Sequence, residues 1–209
     1  MSHAAGLDRP HLVTDVAVPH QHPIDLRAAE QAAGDLLVAL GQPINSEEMA
    51  DTPRRMADAL AELLVPPVFD LTTFPNTDGY EELVLVEDVP VRSLCEHHLL
   101  PFVGVAHVGY LPGERILGLS KVARVVEHFA HQTQTQERLT VQIARHLQDQ
   151  LAPRGVGVVI EADHTCMSLR GVRAGGARTV TSAVFGALRD DAAARAEFLT
   201  LTRDRRSSR

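Results

Sequence analysis

This 209-residue chain lacks tryptophan and has only two cysteines. Two cysteines cannot form the disulfide framework of a small secreted domain, and a cytosolic chain would keep them reduced. No apolar run approaches the roughly 20 residues that a helix needs to cross a bilayer. No N-terminal basic patch followed by an apolar run marks a secretory signal. We therefore expect a cytoplasmic protein of one domain, or of one domain with an N-terminal appendage.

Positive charge is also in short supply. The formal net charge of −7 argues against a general nucleic-acid or membrane-surface binder. Among the 20 basic residues the only lysine is Lys121. An anionic ligand would therefore need a local cluster of positive side chains.

The pattern along the chain predicts three regions. Residues 1–24 mix histidine, proline and small residues without periodicity, which is typical of a mobile tail. Residues 25–68 form a helical region with helices at 25–40 and 46–64, the second starting or restarting at Thr52-Pro53 with Thr52 as its cap. Residues 69–209 form the candidate catalytic domain.

In that third region, strand and helix patterns alternate in a way that predicts an α+β fold. Two consecutive helices are expected between antiparallel strand pairs, and a short helix near the C-terminus. The predicted strands are 83–91, 102–111, 156–162, 164–172 and 177–186, and the predicted helices are 120–130, 135–151 and 192–201.

Both cysteines lie in polar segments that contain histidine, Cys95 in CEHH and Cys166 in HTCMSLRG. A tight turn would bring Cys95 and His98 together in the chelating Cys-x-x-His spacing. Cys166 would complete three ligands and leave a fourth position for water, as in catalytic zinc sites. The residues alone leave open a closed structural site with His97 or His164 as fourth ligand, a thiol nucleophile, or no site.

Strand alternation from residue 164 onward predicts which side chains share a face. Because successive side chains of a strand point to opposite faces, one surface would carry His164, Cys166, Ser168 and Arg170, while Met167 and Leu169 would pack into the core.

Two further polar clusters open the predicted helices. Lys121 and Arg124 share a face near a helix N-terminus, an arrangement that suits a phosphate. The alternative is a solvated basic face with Ser120 as N-cap. Gln136 and Glu137 begin the next helix, where an acid also favours an ordinary first turn.

Taken in order, SLCEHHLLPFVG, GLSKVARVVE, QTQERLTVQIA and HTCMSLRGV resemble the GTP cyclohydrolase I family over residues 52–202. The resemblance implies a tunnelling fold, in which each subunit has a four-stranded antiparallel sheet with two consecutive helices. It implies a homodecamer with active sites at subunit interfaces. It also implies the reaction of GTP with water to give formate and 7,8-dihydroneopterin triphosphate, the first step toward tetrahydrofolate and other pterins.

The same resemblance assigns the metal and proton-transfer residues. Cys95, His98 and Cys166 match the ligands of one Zn²⁺ per subunit, which would activate the water that attacks C8 of guanine. His164 matches the residue that protonates the imidazole ring of the base. His97 matches the residue that assists water activation and ring opening.

Substrate contacts form the second implied set. Glu137, with Gln136, matches the guanine-recognising pair, and Ser120 matches a residue beside the ribose. The matching cations are Lys121, Arg124 and Arg170 for the triphosphate, with Arg55 reaching a neighbouring subunit's phosphates.

The chain departs from the family pattern at 131–133, His-Gln-Thr, where many members have arginine followed by proline or leucine, and at Asp58, where some have lysine. These departures bear on GTP affinity rather than on the metal.

Two competing classes of function remain at this point. A nitrile reductase of the same fold would use a cysteine nucleophile and NADPH, and would not need a Cys-x-x-His set. A non-catalytic zinc-stabilised assembly would not need His97, His164 and Glu137.

Overall fold

The computed structural model describes residues 11–13 and 23–203, with side chains described for the second range only. The helices there are α1 (Leu26–Ala39), α2 (Thr52–Leu64), α3 (Leu119–Ala130), α4 (Gln136–Leu151), α5 (Thr165–Ser168), α6 (Ala187–Asp190) and α7 (Ala192–Leu201). The strands are β1 (His11–Val13), β2 (Leu71–Pro75), β3 (Val84–Cys95), β4 (Pro101–Leu111), β5 (Arg115–Leu117), β6 (Thr133–Gln134), β7 (Gly155–His164) and β8 (Thr179–Gly186). None of the helices within these ranges is long and apolar enough to cross a membrane.

The two N-terminal helices begin where local chemistry favours a start. The Asp25 carboxylate accepts a hydrogen bond from the Ala28 N–H at 3.0 Å and caps α1. In α2 the proline falls in the first turn, where it has no hydrogen bond to lose. The predicted restart is confirmed, but Asp51 rather than Thr52 is the N-cap residue. Of the predicted mobile tail, residues 1–10 and 14–22 lie outside the described part of the chain.

A five-stranded sheet in the order β6-β3-β4-β7-β8 organises the domain. All neighbours in it are antiparallel except β6, which pairs in parallel with the end of β3. The register of β3 against β4 shifts between Val86 and Val89, where Asp88 has a φ of +54°. The predicted α+β architecture with two consecutive helices, α3 and α4, is confirmed.

The apolar core fills the space between this sheet and α3 and α4. Residues 155–162 of β7 and 106–110 of β4 are all buried, so both faces of the sheet are covered at its centre. On the opposite face α7 packs through the fully buried ring of Phe198. This contact needs the small Gly157, because a Cβ there would lie 2.6 Å from Phe198 Cε1.

A second antiparallel sheet, β1-β2-β5, was not predicted. It is tied together by side chains as well as by its own register. The Arg115 guanidinium donates to Thr73 Oγ1 at 2.8 Å, and the Leu117 N–H donates to the Tyr110 hydroxyl at 3.0 Å. Burial raises the pKa of Tyr110, while the hydrogen bond from Leu117 acts in the opposite direction.

The predicted strand at 164–172 is wrong. The chain leaves β7 at His164 and forms the short helix α5, closed by a hydrogen bond from the Leu169 N–H to Thr165 O at 3.0 Å. The Thr165 hydroxyl donates to Pro101 O at 2.5 Å and fixes the bend. Met167 and Leu169 are consequently 38% and 74% exposed rather than packed in the core.

Candidate metal centre and active site

The tight turn predicted after β3 is present. The N–H groups of His98 and Leu99 both donate to Cys95 O, at 3.2 and 2.8 Å. Leu99 adopts a φ of +52°, and the Cys95 N–H donates to Leu100 O at 2.9 Å as the chain reverses into β4. The turn places His98 Nδ1 3.8 Å from Cys95 Sγ.

Helix α5 brings the second cysteine to the same place. Cys166 Sγ lies 4.0 Å from Cys95 Sγ, and the donor atoms of Cys95, His98 and Cys166 all fall within 4.8 Å of one another. Tetrahedral zinc with Zn–S bonds of about 2.3 Å and Zn–N bonds of about 2.0 Å holds its ligand atoms roughly 3.5–3.8 Å apart. The three side chains therefore fit a metal ion after a small contraction, and two thiols with an imidazole are donors that zinc favours.

Burial raises the pKa of the Cys166 thiol, and the nearby Cys95 acts in the same direction. Arg170 acts in the opposite direction. The Cys166 thiol alone is thus not poised as a nucleophile, whereas a coordinated cation would deprotonate it. This electrostatic setting favours metal binding over thiol catalysis.

The adjacent histidines in the turn have different surroundings. The His97 and His98 rings meet edge to face, with an interplanar angle of 80° and centroids 6.2 Å apart. His97 Nδ1 also lies 3.8 Å from Cys95 Sγ, but its side chain is 66% exposed and its Nε2 is 4.0 Å from Glu96 Oε1. His97 is therefore open to a molecule bound beside the metal centre.

The glutamate of the turn is anchored to α4, an arrangement not predicted from the sequence. Arg138 Nη2 donates to Glu96 Oε2 at 2.6 Å. The same guanidinium donates to Gln134 Oε1 at 2.8 Å and to Thr133 O at 2.6 Å. The signal available in the sequence was that Glu96 lies inside CEHH and Arg138 inside QERLT.

His164 lies at the end of β7 in a fixed orientation. Its ring stacks on Phe102 with centroids 4.6 Å apart and an interplanar angle of 11°. Its Nε2 lies 2.8 Å from Gln136 Oε1. Burial lowers the pKa of His164, while Glu137 and Asp163 act in the opposite direction. A neutral, oriented imidazole of this kind suits proton transfer.

The two residues that open α4 differ in exposure. Gln136 is buried at 1% exposure, and its Nε2 donates to Ile160 O, Thr179 O and Thr181 Oγ1 at 3.0, 3.0 and 3.1 Å. Glu137 is exposed. Thr135, as predicted at the start of this helix, caps it by accepting from the Arg138 N–H at 3.3 Å.

The predicted cationic residues are on three elements. Lys121 and Arg124 lie on α3, the first half-buried and the second exposed, and the N-cap there is Gly118 rather than Ser120. Arg170 is exposed just after α5. Arg55 lies on α2, where its guanidinium is 3.3 Å from the Asp51 carboxylate.

Comparison with known proteins shows which family this chain belongs to. The family model described as GTP cyclohydrolase I matches residues 29–203. The chain belongs to the GTP cyclohydrolase I family. The match extends further toward the N-terminus than the likeness expected from residue 52, so it includes most of α1 and the whole of α2.

Curated relatives of the family cover most of this chain. GTP cyclohydrolase 1 of Mycobacteroides abscessus is 50% identical over 188 residues, covering 88% of this chain and 92% of that protein. GTP cyclohydrolase 1 of Mycobacterium leprae is 50% identical over 190 residues, covering 88% and 93%. The Corynebacterium glutamicum protein of the same name is 47% identical over 184 residues, covering 86% and 94%.

Among solved structures, the apo form of the archaeosine synthase QueF-Like aligns with a TM-score of 0.41 at 18% identity, covering 50% of this chain and 94% of that one.

Proposed function

We propose that this protein is a zinc-dependent GTP cyclohydrolase I. It converts GTP and water to formate and 7,8-dihydroneopterin triphosphate, the first step of tetrahydrofolate and pterin biosynthesis. The observation that carries the proposal is the convergence of Cys95, His98 and Cys166 within 4.8 Å beside two further histidines, in a chain of this family.

Zinc would be held by Cys95, His98 and Cys166, one ion per subunit. Bound there, zinc supplies a Lewis acid that makes water reactive near neutral pH. Three protein ligands are the number found in catalytic rather than closed structural zinc sites. The remaining polar side chains of the site are then available to the substrate.

His164 and His97 divide the proton transfers. His164 is held in plane by Phe102 and by Gln136, and burial favours its neutral form. It is suited to handle a proton at the imidazole ring of the purine. His97 is exposed beside the ligands and is suited to assist the attacking water and the opening of the ring.

Recognition of GTP falls to exposed or half-buried side chains on α3, α4 and the segment after α5. The Glu137 carboxylate can accept from both N1–H and the exocyclic amine of guanine, a pair that adenine does not present. Lys121, Arg124 and Arg170 provide positive charge for the triphosphate. Ser120 is assigned to the ribose, and Arg55 to the triphosphate in a neighbouring subunit.

We further propose a tunnelling fold assembled as a homodecamer with active sites between subunits. The four antiparallel strands β3, β4, β7 and β8 with α3 and α4 support the fold. Two cavities of the single subunit, of about 850 and 330 Å³, are lined by residues other than the metal cluster. A neighbouring subunit would therefore be needed to complete a substrate pocket beside the metal. Exposed Leu99, Leu119 and Leu169 are also available for burial against another subunit.

The decisive experiment incubates the purified, zinc-loaded protein with GTP and measures formate together with the fluorescent pterin formed after oxidation and dephosphorylation. We expect equal amounts of the two products, none with ATP, and none with Cys166→Ser. The matched control is Met167→Ala, which changes the exposed neighbour of that cysteine and should retain activity. Folded, zinc-replete protein that leaves GTP unchanged would refute the proposal.

A further inference from the structure

The side-chain amide of Gln136 has only one chemically acceptable orientation. One end of it faces the backbone carbonyl oxygens of Ile160 and Thr179, each at 3.0 Å. Carbonyl oxygens only accept hydrogen bonds, so that end of the amide must be the nitrogen. The other end, which faces His164 Nε2 at 2.8 Å, must therefore be the oxygen.

This orientation fixes the protonation pattern of the neighbouring histidine. An amide oxygen only accepts, so His164 Nε2 must carry the hydrogen of the contact. In the neutral ring the lone pair then resides on Nδ1. Phe102, stacked on the ring at 4.6 Å, fixes its plane, and Gln136 fixes its rotation within that plane.

Gln136 itself is held firmly by the sheet beneath it. Its amide nitrogen also donates to Thr181 Oγ1 on β8, at 3.1 Å. Thr140, one turn along α4, donates to Gln136 O at 2.7 Å and lies 2.6 Å from Thr181 Oγ1. With 1% of its surface exposed, Gln136 has almost no area with which to contact a purine.

We propose that Gln136 is a positioning residue that sets the tautomer and orientation of His164, and that Glu137 alone of this pair meets the base. The proposal rests on the proposed function for its kinetic consequences, but its structural content is independent of the substrate. Gln136 thereby links β7, β8 and α4 to His164.

The tautomer can be measured without any substrate. We suggest magic-angle-spinning ¹⁵N NMR of histidine-labelled, zinc-loaded protein at pH 8, with His164 assigned by the signals lost in His164→Ala. We expect the Nε2–H tautomer in the wild type and a mixture of tautomers in Gln136→Met. An Nδ1–H tautomer in the wild type would overturn the proposal, whatever the protein acts on.

The kinetic test compares Gln136→Met with Thr181→Val, which removes one acceptor of the Gln136 amide nitrogen but keeps the contact to His164. Removing an oriented proton-transfer group typically costs about 10²–10⁴-fold, so disturbing its orientation should lower kcat about 10- to 100-fold. We expect the KM for GTP in Gln136→Met to change less than about threefold and Thr181→Val to stay near wild-type kcat. A raised KM with unchanged kcat would instead show that Gln136 contacts the substrate.

A double-mutant cycle separates positioning from general structural damage. In a His164→Ala background Gln136→Met should cost no further activity, because Gln136 acts through that ring. Losses that multiply would refute the proposal. Gln136→Leu, which also removes the oxygen opposite Nε2, serves in the same cycle if the methionine variant does not fold. Failure of the wild type to release formate would refute the proposed function and leave the NMR result to decide the role of Gln136.

Discussion

Arg138 and Glu96 form an ion pair of 2.6 Å that joins the first turn of α4 to the metal-binding turn. The pair connects the helix that presents Glu137 to the turn that presents His97 and His98. Because its side chains are 42% and 31% exposed, its contribution to stability is small, about 1 kcal/mol or less. Its importance is in placing the turn.

The first prediction concerns this pair. Arg138→Met and Glu96→Gln should each leave the melting temperature within a few degrees of wild type but lower turnover several-fold, since the turn loses its anchor. The double variant should be no worse than either single one. Arg145→Met, an exposed arginine on the same helix, is the control and should retain full activity. Unchanged turnover in both single variants would contradict the prediction.

The second prediction separates metal loss from damage to the fold. Cys95→Ser and His98→Ala should both bind substoichiometric zinc, measured by elemental analysis. Cys95 is buried whereas His98 is exposed. Without metal, Cys95→Ser should therefore melt below metal-free wild type, because a buried hydroxyl without a partner costs about 1–3 kcal/mol. Metal-free His98→Ala should melt at the same temperature as metal-free wild type. Equal melting of the two metal-free variants would argue against the observed burial.

The third prediction concerns the pH dependence of stability. Burial lowers the pKa of His146 to about 4, with His128 acting in the same direction and Asp149 in the opposite one. As the pH falls below about 6.5, the unfolded chain takes up this proton first. The folded state should lose at most about 3 kcal/mol between pH 6.5 and 4 from this group.

The test is denaturant unfolding of wild type and His146→Gln in the same metal state across that pH range. The difference in unfolding free energy between the two proteins should change in favour of the variant as the pH falls. Parallel curves would show that His146 does not carry the effect.

The fourth prediction tests the packing of α7 on the sheet. Gly157→Ala should lower the free energy of unfolding by about 1–3 kcal/mol, because its methyl group overlaps the buried Phe198 ring. Gly175→Ala is the matched control, since a Cβ there meets nothing within 4 Å. Chemical denaturation of the two variants checks the prediction, and equal midpoints would contradict it.

Much of the fold follows from local pattern. The C-terminal helix at 192–201 and the strand at 102–111 are present, the latter one residue longer. The error at 164–172 has a physical cause. Alternating polar and apolar residues favour a strand, but the bond from Thr165 to Pro101 bends the chain into α5. The two-residue β6 has no periodicity to detect.

In the site, too, contacts between residues close in sequence could be predicted, whereas contacts that depend on packing could not. Short-range spacing was sufficient to predict that Cys95 and His98 approach each other, since three residues and a turn determine it. Pairing Cys166 with them needed only its histidine-bearing context. Sequence could not assign Gln136 to His164, because their contact depends on the packing of α4 over β7 and β8. Nor could it reveal the ion pair of Glu96, which joins two separate motifs.

The short strand β6 has a consequence for sequence variation in this protein. Backbone carbonyls of β6 and of the residue that ends α3 hold the end of β3: the Glu96 N–H donates to Gln134 O at 3.0 Å, and the Ser93 hydroxyl donates to Ala130 O at 2.7 Å. The side chains at 131–133 take no part in either bond. Substitutions of these side chains should therefore leave Cys95 in place, because backbone carbonyls of the connection hold the end of β3.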